Sequence, residues 1–477
     1  MSKMLYNLGR KMSFLTLVLV GKMSRRRLML KRKIEKEINR WISDGKSALL
    51  IYGVRQAGKT YIIRHCLKEA GCNYVEFNLI REPDIVTILE NSADTDDLIL
   101  KLSLYSKQKI IPGETVIFFD EIQKYKELVT KIKFLVEDSR FRYILSGSLL
   151  GIEITSLKSA PVGFLHSLQM YPLDFEEFLW FFNVDTAILD ILKKSYLDLL
   201  PVDETLHKKI LQLFNLYLII GGMPAAIEKY RQEENIDAVM EEHQAILQQY
   251  KVDFTQYESA NKKLLLTTIY DLIPAELNAQ NKRFKCSDID KKMRFDRISE
   301  SFIWLWKSGV ALPVFNATEP TVPLKINQKS SLFKLFLSDV GMLTTIYGKA
   351  SKLKILNQDS SINNGAVYEN VVAQELTAHG YNCYYYNSKK YGELDFLIEH
   401  DGDVLPIEIK SGKNYKRHSA LSHVLESRNY NLHQAVVFSN SNVESCGRIA
   451  YLPIYMLMFL EEASFEFTDI SMDKFKL

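Results

Sequence analysis

One short stretch restricts the fold of this chain more than any other. Gly53-Val54-Arg55-Gln56-Ala57-Gly58-Lys59-Thr60 matches the pattern G-x-x-x-x-G-K-[ST]. It follows the apolar run Ser47–Tyr52, which reads as a buried parallel strand. It precedes Tyr61–Ala70, which reads as a helix. Gly53 and Gly58 permit backbone angles that a side chain would forbid. The loop's N–H groups can then turn inward onto phosphate oxygens, and the helix N-terminus adds partial positive charge. Lys59 is expected to neutralise the β and γ phosphates of a nucleotide, and Thr60 to place its hydroxyl on magnesium. All eight residues from Gly53 to Thr60 are therefore expected to contact the nucleotide.

A second strand completes the pattern. Thr115–Phe119 is apolar and ends in Asp120-Glu121. Strands of an open parallel sheet deliver their C-terminal residues to the ligand crevice. Asp120 is expected in the magnesium shell, and Glu121 is expected to polarise the attacking water. A further strand, Arg142–Leu145, leads to Ser146-Gly147-Ser148, where either serine is placed to sense a γ phosphate. Tyr74–Asn78 and Leu168–Tyr171 read as additional core strands.

Together, Tyr52–Thr60, Phe118–Gln123, Ile144–Ser148, Met170–Phe178 and Gly221–Pro224 resemble the sequence blocks of prokaryotic AAA-type ATPases with a C-terminal domain of unknown function. The resemblance covers nearly the whole chain after residue 28. It implies an α/β P-loop NTPase sheet, a helical lid, and ATP with Mg2+ as the bound species. Many such proteins carry an arginine just before the Tyr-Pro-Leu block, but Ser159–Ser167 has none here. Arg140 and Arg142 lie nearby in sequence, and an arginine finger is unassigned.

A chain of 477 residues exceeds one hydrophobic core, so several domains are expected. A net charge of +3 gives no global attraction to nucleic acid, so any basic surface must be local. Five scattered cysteines, without paired zinc spacing, fit a reducing, cytoplasmic location. Residues 1–28 hold a short apolar run between basic residues, too short to span a membrane, and read as a poorly ordered arm. The expected divisions are 29–195 for the ATPase core, 196–260 for the lid, 261–350 for a winged-helix-like domain, and 351–477 for the C-terminal domain.

The middle unit rests on three signals. Ile269–Ile273 is expected to end before Pro274. Arg297–Lys307 has helical apolar spacing, and Val310–Phe315 with Ser331–Leu337 read as two strands flanking a loop, like a wing. Lys282, Arg283, Lys285, Lys291, Lys292 and Arg294 form a basic cluster that could meet DNA phosphates.

The C-terminal segment reads as a helix from Gly365 to His379 and three strands at Cys383–Tyr386, Glu393–Ile398 and Val404–Lys410. Asp401-Gly402 is expected to turn the last two into a hairpin. Period-two alternation puts Glu408 and Lys410 on one face. Asp395, Glu408 and Lys410, with helical Glu369, resemble the PD-(D/E)xK nuclease fold of restriction enzymes and junction resolvases. That resemblance implies a second Mg2+ or a Mn2+ held by Glu369, Asp395 and Glu408, with Lys410 acting on the water or the transition state. Two functions follow. One is an ATPase controlling a DNA-binding or DNA-cleaving module. The other is a nucleotide-dependent switch whose nuclease-like domain is inactive and docks a partner or a further copy.

Overall fold

The computed structural model describes residues 30–148, 163–256, 260–357, 359, 364–412 and 414–462. The whole of the expected N-terminal arm and residues 159–162 lie outside them. Five strands, β1 (Ala48–Gly53), β2 (Asn73–Asn78), β3 (Thr115–Asp120), β4 (Arg142–Ser148) and β5 (Leu165–Met170), form a parallel sheet in the order β2-β3-β4-β1-β5. Alternate residues serve opposite cores. Leu49, Ile51, Phe118 and Ile144 pack with Ile62, Ile63 and Leu67 of the helix Lys59–Glu69. Leu50, Ile117, Phe119 and Leu145 pack against helices at Pro83–Asn91, Thr95–Tyr105 and Glu127–Asp138. Burial on both faces is why these strands read as unbroken apolar runs.

Helices Glu204–Ile220, Pro224–Glu233 and Ile236–Gln256 follow. Gly221-Gly222 turns the first into the second. A Cβ on Gly222 would meet the Leu173 carbonyl oxygen at 2.0 Å, so the turn lies directly on the ATPase domain. Among the described residues no single helix is long and apolar enough to cross a membrane. The pair Glu204–Ile220 and Pro224–Glu233 has the composition of a span, but it bends by 115° and Leu216–Ile220 are core.

The helix expected to end before Pro274 runs from Ala260 to Asn278. Leu266, Ile269, Tyr270, Ile273 and Leu277 are all buried at helical spacing. That burial outweighs the roughly 3 kcal/mol an interior proline costs. The helix expected over Arg297–Lys307 spans Phe295–Lys307.

The two strands read as a wing belong to the C-terminal sheet. β6 (Ala311–Ala317) pairs antiparallel with β7 (Gln328–Leu337), and also parallel with β8 (Tyr384–Ser388). With β9 (Gly392–His400), β10 (Asp403–Lys410), β11 (Ala435–Ser439), β12 (Glu444–Cys446) and β13 (Ile449–Pro453), they make one mixed sheet, ordered β12-β13-β11-β10-β9-β8-β6-β7. A division at 350/351 therefore cuts through a continuous sheet. A hairpin forms at Asp401-Gly402 as expected, with φ of 51° and 84°.

Candidate functional site

The sheet register assembles the phosphate site. Gly53 lies opposite Ser148 and Met170, and Asn78 lies opposite Asp120, so five strand ends converge at one edge. In the loop, Gly53, Gln56 and Gly58 have φ of 146°, 62° and 96°. A Cβ on Gly53 would sit 2.1 Å from the Met170 carbonyl oxygen, so only glycine passes β5 there. Lys59 is buried and donates to the carbonyls of Val54 at 2.8 Å and Gly53 at 3.2 Å. Burial pulls its ammonium down to about 8, against the attraction of Glu121 and Asp120.

Asp120 is the hub. Thr60 Oγ1 donates to its carboxylate, 3.1 Å from either oxygen, and Ser146 Oγ also donates to Oδ1. Asn78 Nδ2 donates to Oδ2 at 2.9 Å. Burial raises the Asp120 pKa, with the Ser146 hydrogen bond opposing it. A buried carboxylate beside a hydroxyl supplies the oxygen donors that a magnesium ion would take, so Thr60 and Asp120 fit one. Glu121 follows in a left-handed conformation, φ 59°, and accepts from Gln123 Nε2. Gln123 Nε2 also lies 3.2 Å from Ser148 Oγ. Ser146 thus adjoins the expected metal ligand, whereas Ser148 touches the residue that steadies Glu121.

Three contributors were not singled out from sequence. Asn78 and Gln123 look like ordinary strand-end and turn residues. Arg32 lies 25 residues before the loop carbonyl it binds, Ala57 O, at 3.0 Å, and also donates to Tyr171 O at 2.7 Å. Its guanidinium pairs with Glu177 at 3.0 Å. Arg55 does not point at an empty site: it pairs with Asp253 of the helix Ile236–Gln256 at 2.7 Å. The expected lid therefore touches the phosphate loop directly. Val54 lies next to Gly309, where an added Cβ would meet Val54 Cγ1 at 3.3 Å.

Neither sequence-adjacent arginine reaches this edge. Arg140 pairs with Asp96 and Asp138. Arg142 begins β4, at the opposite end of the sheet, and donates to the Ile42 carbonyl.

The C-terminal acids do gather. Glu408 and Lys410 share a face, with Lys410 Nζ 2.5 Å from Glu408 Oε1. Asp395 Oδ2 accepts from the Ile409 N–H at 2.9 Å, and its pKa is raised by burial, Glu408 and Glu369. The expected metal shell is not what they form. Lys282 and Lys334 both pair with Glu369, and Lys334, 1% exposed, reaches Glu393 at 2.7 Å. Among the described residues no group of three acid, histidine or cysteine side chains is arranged to hold a metal. Glu408 Oε2 is buried without a hydrogen-bond partner. Three lysines supply the positive charge that an ion would bring, so the residues as placed do not fit one. Lys282, counted in the basic cluster, is spent on Glu369, while Lys285, Lys291, Lys292 and Arg294 are exposed.

The sheet order, the glycine loop and the Thr60–Asp120–Glu121 edge define a phosphate-binding-loop ATPase domain. Residues 45–179 match the model of a family described as AAA domain, so this part of the chain is an AAA-type ATPase domain. Residues 211–353 and 364–457 match two families described as domains of unknown function, DUF8612 and DUF4143. No curated protein matches the sequence. Similar solved structures include a Walker-type ATPase of Pyrococcus abyssi, at 14% identity over 68% of this chain and 97% of that one, TM-score 0.41. Cdc6p of Pyrobaculum aerophilum is 11% identical over 72% and 98%, TM-score 0.25. The RuvB branch migration motor of Thermotoga maritima is 15% identical over 60% and 89%, TM-score 0.27.

Proposed function

We propose that the AAA-type domain binds ATP with Mg2+, hydrolyses it, and passes the change to the C-terminal sheet as a nucleotide-dependent switch. The observation that carries this reading is Asp120, buried and bonded at once to Thr60, Ser146 and Asn78, with Glu121 beside it. Magnesium between Thr60 and Asp120 would draw charge from the β and γ phosphates. Lys59 exchanges its loop carbonyls for phosphate oxygens. Glu121 orients water and takes its proton as the water oxygen bonds to the γ phosphorus. The bond from that phosphorus to the bridging oxygen breaks, and ADP leaves with the electron pair.

A buried seam supports coupling to the C-terminal sheet. The Phe175 N–H donates to Glu375 at 3.1 Å, and Asp174 meets His379 at 3.2 Å. Both bonds join the Tyr-Pro-Leu-Asp-Phe block to the helix Gly365–Ala378 or its cap. Neutralised acids favour docking over cleavage for that domain. The exposed Lys285, Lys291, Lys292 and Arg294 support a second reading, DNA contact through phosphates.

Nucleotide titration and turnover test the proposal. Lys59→Ala should lose tight ATP binding, and Glu121→Gln should bind ATP but fall at least tenfold in turnover. Equal turnover by wild type and Glu121→Gln removes Glu121 from the reaction. Incubation with linear, supercoiled and branched DNA, with Mg2+ or Mn2+ and with or without ATP, separates the readings of the C-terminal domain. Metal-dependent cleavage that Asp395→Asn abolishes would overturn the docking reading.

A further inference from the structure

A cleft of 680 Å³ opens from the magnesium edge of the phosphate site, lined by Thr60, Asp120 and Glu121 on one side and by Asn78 and Arg81 on the other. Its remaining wall is one stripe of the helix Lys59–Glu69, including Arg64. Of the two arginines on this cleft, Arg64 is bound to Glu76 across its side. Arg81 is exposed, and its backbone, not its guanidinium, is what the surroundings hold.

That backbone is held tightly. Asn78 and Asp120 are register partners in β2 and β3, and the Leu79 N–H donates to the Asp120 carbonyl at 3.0 Å. The Asn78 side chain then acts in two directions. Its Nδ2 donates to the Asp120 carboxylate at 2.9 Å, while its Oδ1 accepts from the N–H groups of Ile80 at 3.1 Å and Arg81 at 3.0 Å. Glu82 closes the turn, its N–H donating to Asn78 O at 2.9 Å. One buried amide therefore fixes the turn that carries Arg81 relative to the carboxylate expected to hold magnesium.

We propose that Arg81 is the arginine of the γ-phosphate site, acting within its own chain. Its guanidinium meets the γ-phosphate oxygens of a bound nucleoside triphosphate and stabilises the charge that gathers there as the bond to ADP breaks. Asn78 is its positioning residue. A planar, permanently charged fork suits phosphate oxygens better than an ammonium would. This assignment rests on the hydrolysis proposed above and supplies the cation that the segment before the Tyr-Pro-Leu block lacks.

The test uses the full chain, with turnover and nucleotide affinity measured separately. Arginines of this kind contribute on the order of 10³-fold or more to turnover. Arg81→Ala should lower kcat by about that factor, keep ADP affinity within about threefold, and lose the preference for ATP over ADP. Arg81→Lys should recover only part of kcat. Asn78→Ala should lower kcat without abolishing ADP binding. Turnover per chain should not rise with protein concentration. If wild type binds ATP without hydrolysing it, the hydrolysis reading alone fails, and Arg81 is judged by the affinity ratio. An unchanged ATP-to-ADP ratio in Arg81→Ala overturns the proposal. So does rescue of Arg81→Ala by mixing it with Lys59→Ala chains, because the arginine would then come from another subunit.

Discussion

Lys334 is an ammonium with almost no water around it. It sits on β7, 1% exposed, between Glu369 and Glu393, and those two acids with Asp395 raise its pKa far above the ordinary range against the cost of burial. Removing one partner of a buried pair leaves the other charge uncompensated, which typically costs about 3–5 kcal/mol. Lys334→Met should therefore destabilise the chain by about that amount in chemical denaturation. Lys334→Met combined with Glu369→Gln should recover part of the loss, since neither charge is then stranded. Loss of less than about 1 kcal/mol in the single variant would show that Lys282 alone is enough to compensate Glu369. The same residue marks what sequence could and could not reveal. Gly53–Thr60 and Asp120-Glu121 were legible because their chemistry is packed into short, contiguous spacing. Glu369, Asp395, Glu408 and Lys410 were legible as a pattern, yet the lysines that answer them come from positions 282 and 334, far outside it. Arg32 and Asn78 share that difficulty, because each acquires its role only from a partner brought near by the fold.

The helix Gly365–Ala378 shows why element-level reading fails in the same region. Glu369, Asn370, Gln374 and Glu375 would normally face solvent, but all four are buried. Asn370 bonds both backbone groups of Leu337, at 2.9 and 3.0 Å, and Gln374 accepts from the Val340 N–H at 2.8 Å. The helix thus uses polar side chains to satisfy backbone at the end of β7, a role that periodicity cannot distinguish from a solvated face. Strands β11, β12 and β13 were not read at all, whereas β6 to β10 were read to within three residues at either end, since alternation and turn chemistry are local. Their partners were not: β6 and β7 read as a separate wing because 66 residues separate Ala317 from Tyr384, and parallel pairing leaves no turn signal. A fragment beginning at residue 351 lacks both strands and Lys334. It exposes the edge of β8 and strands Glu369 in an apolar setting. Such a fragment should show no cooperative thermal transition, whereas the full chain should. A sharp transition in the isolated fragment, with near-UV dichroism intact, would show that the hairpin is dispensable to the sheet.

At the scale of the whole molecule, the ATPase domain and the C-terminal sheet meet through titratable groups rather than apolar contact alone. Glu375 is buried where Phe175 N–H donates to it, and Tyr217 Oη lies 2.8 Å from its Oε1. That hydroxyl also donates to Leu173 O at 2.7 Å and accepts from Gln374 Nε2 at 2.7 Å. The single Tyr217 proton can serve Leu173 O or Glu375, and only a protonated Glu375 lets both contacts be made at once. Burial first, then the neighbouring Asp174 charge, pushes Glu375 up to about 7, while His379 opposes the rise. A carboxyl raised from its ordinary 4.5 contributes stability that is complete below that value and is lost as pH climbs through 7. His379, raised by the Asp174 hydrogen bond against its burial, changes in the same sense. Asp174 works in the opposite direction: Lys33 and His379 hold its carboxyl below the ordinary 3.8 despite burial, so its contribution fades only in acid beneath that range. The seam should therefore be tightest near pH 4 to 4.5 and loosen progressively toward pH 8. Glu375→Gln keeps the shape, supplies a donor toward Tyr217 at every pH, and still accepts from Phe175. The variant should match wild type below about pH 4.5 and exceed it in stability at pH 8, by about 3 kcal/mol at most. Melting curves across that range measure the difference, which should widen with pH and level off above 7. Parallel curves for the two proteins would mean that Glu375 is already ionised in the folded chain at neutral pH, with the Tyr217 proton turned toward it and Leu173 O satisfied in some other way.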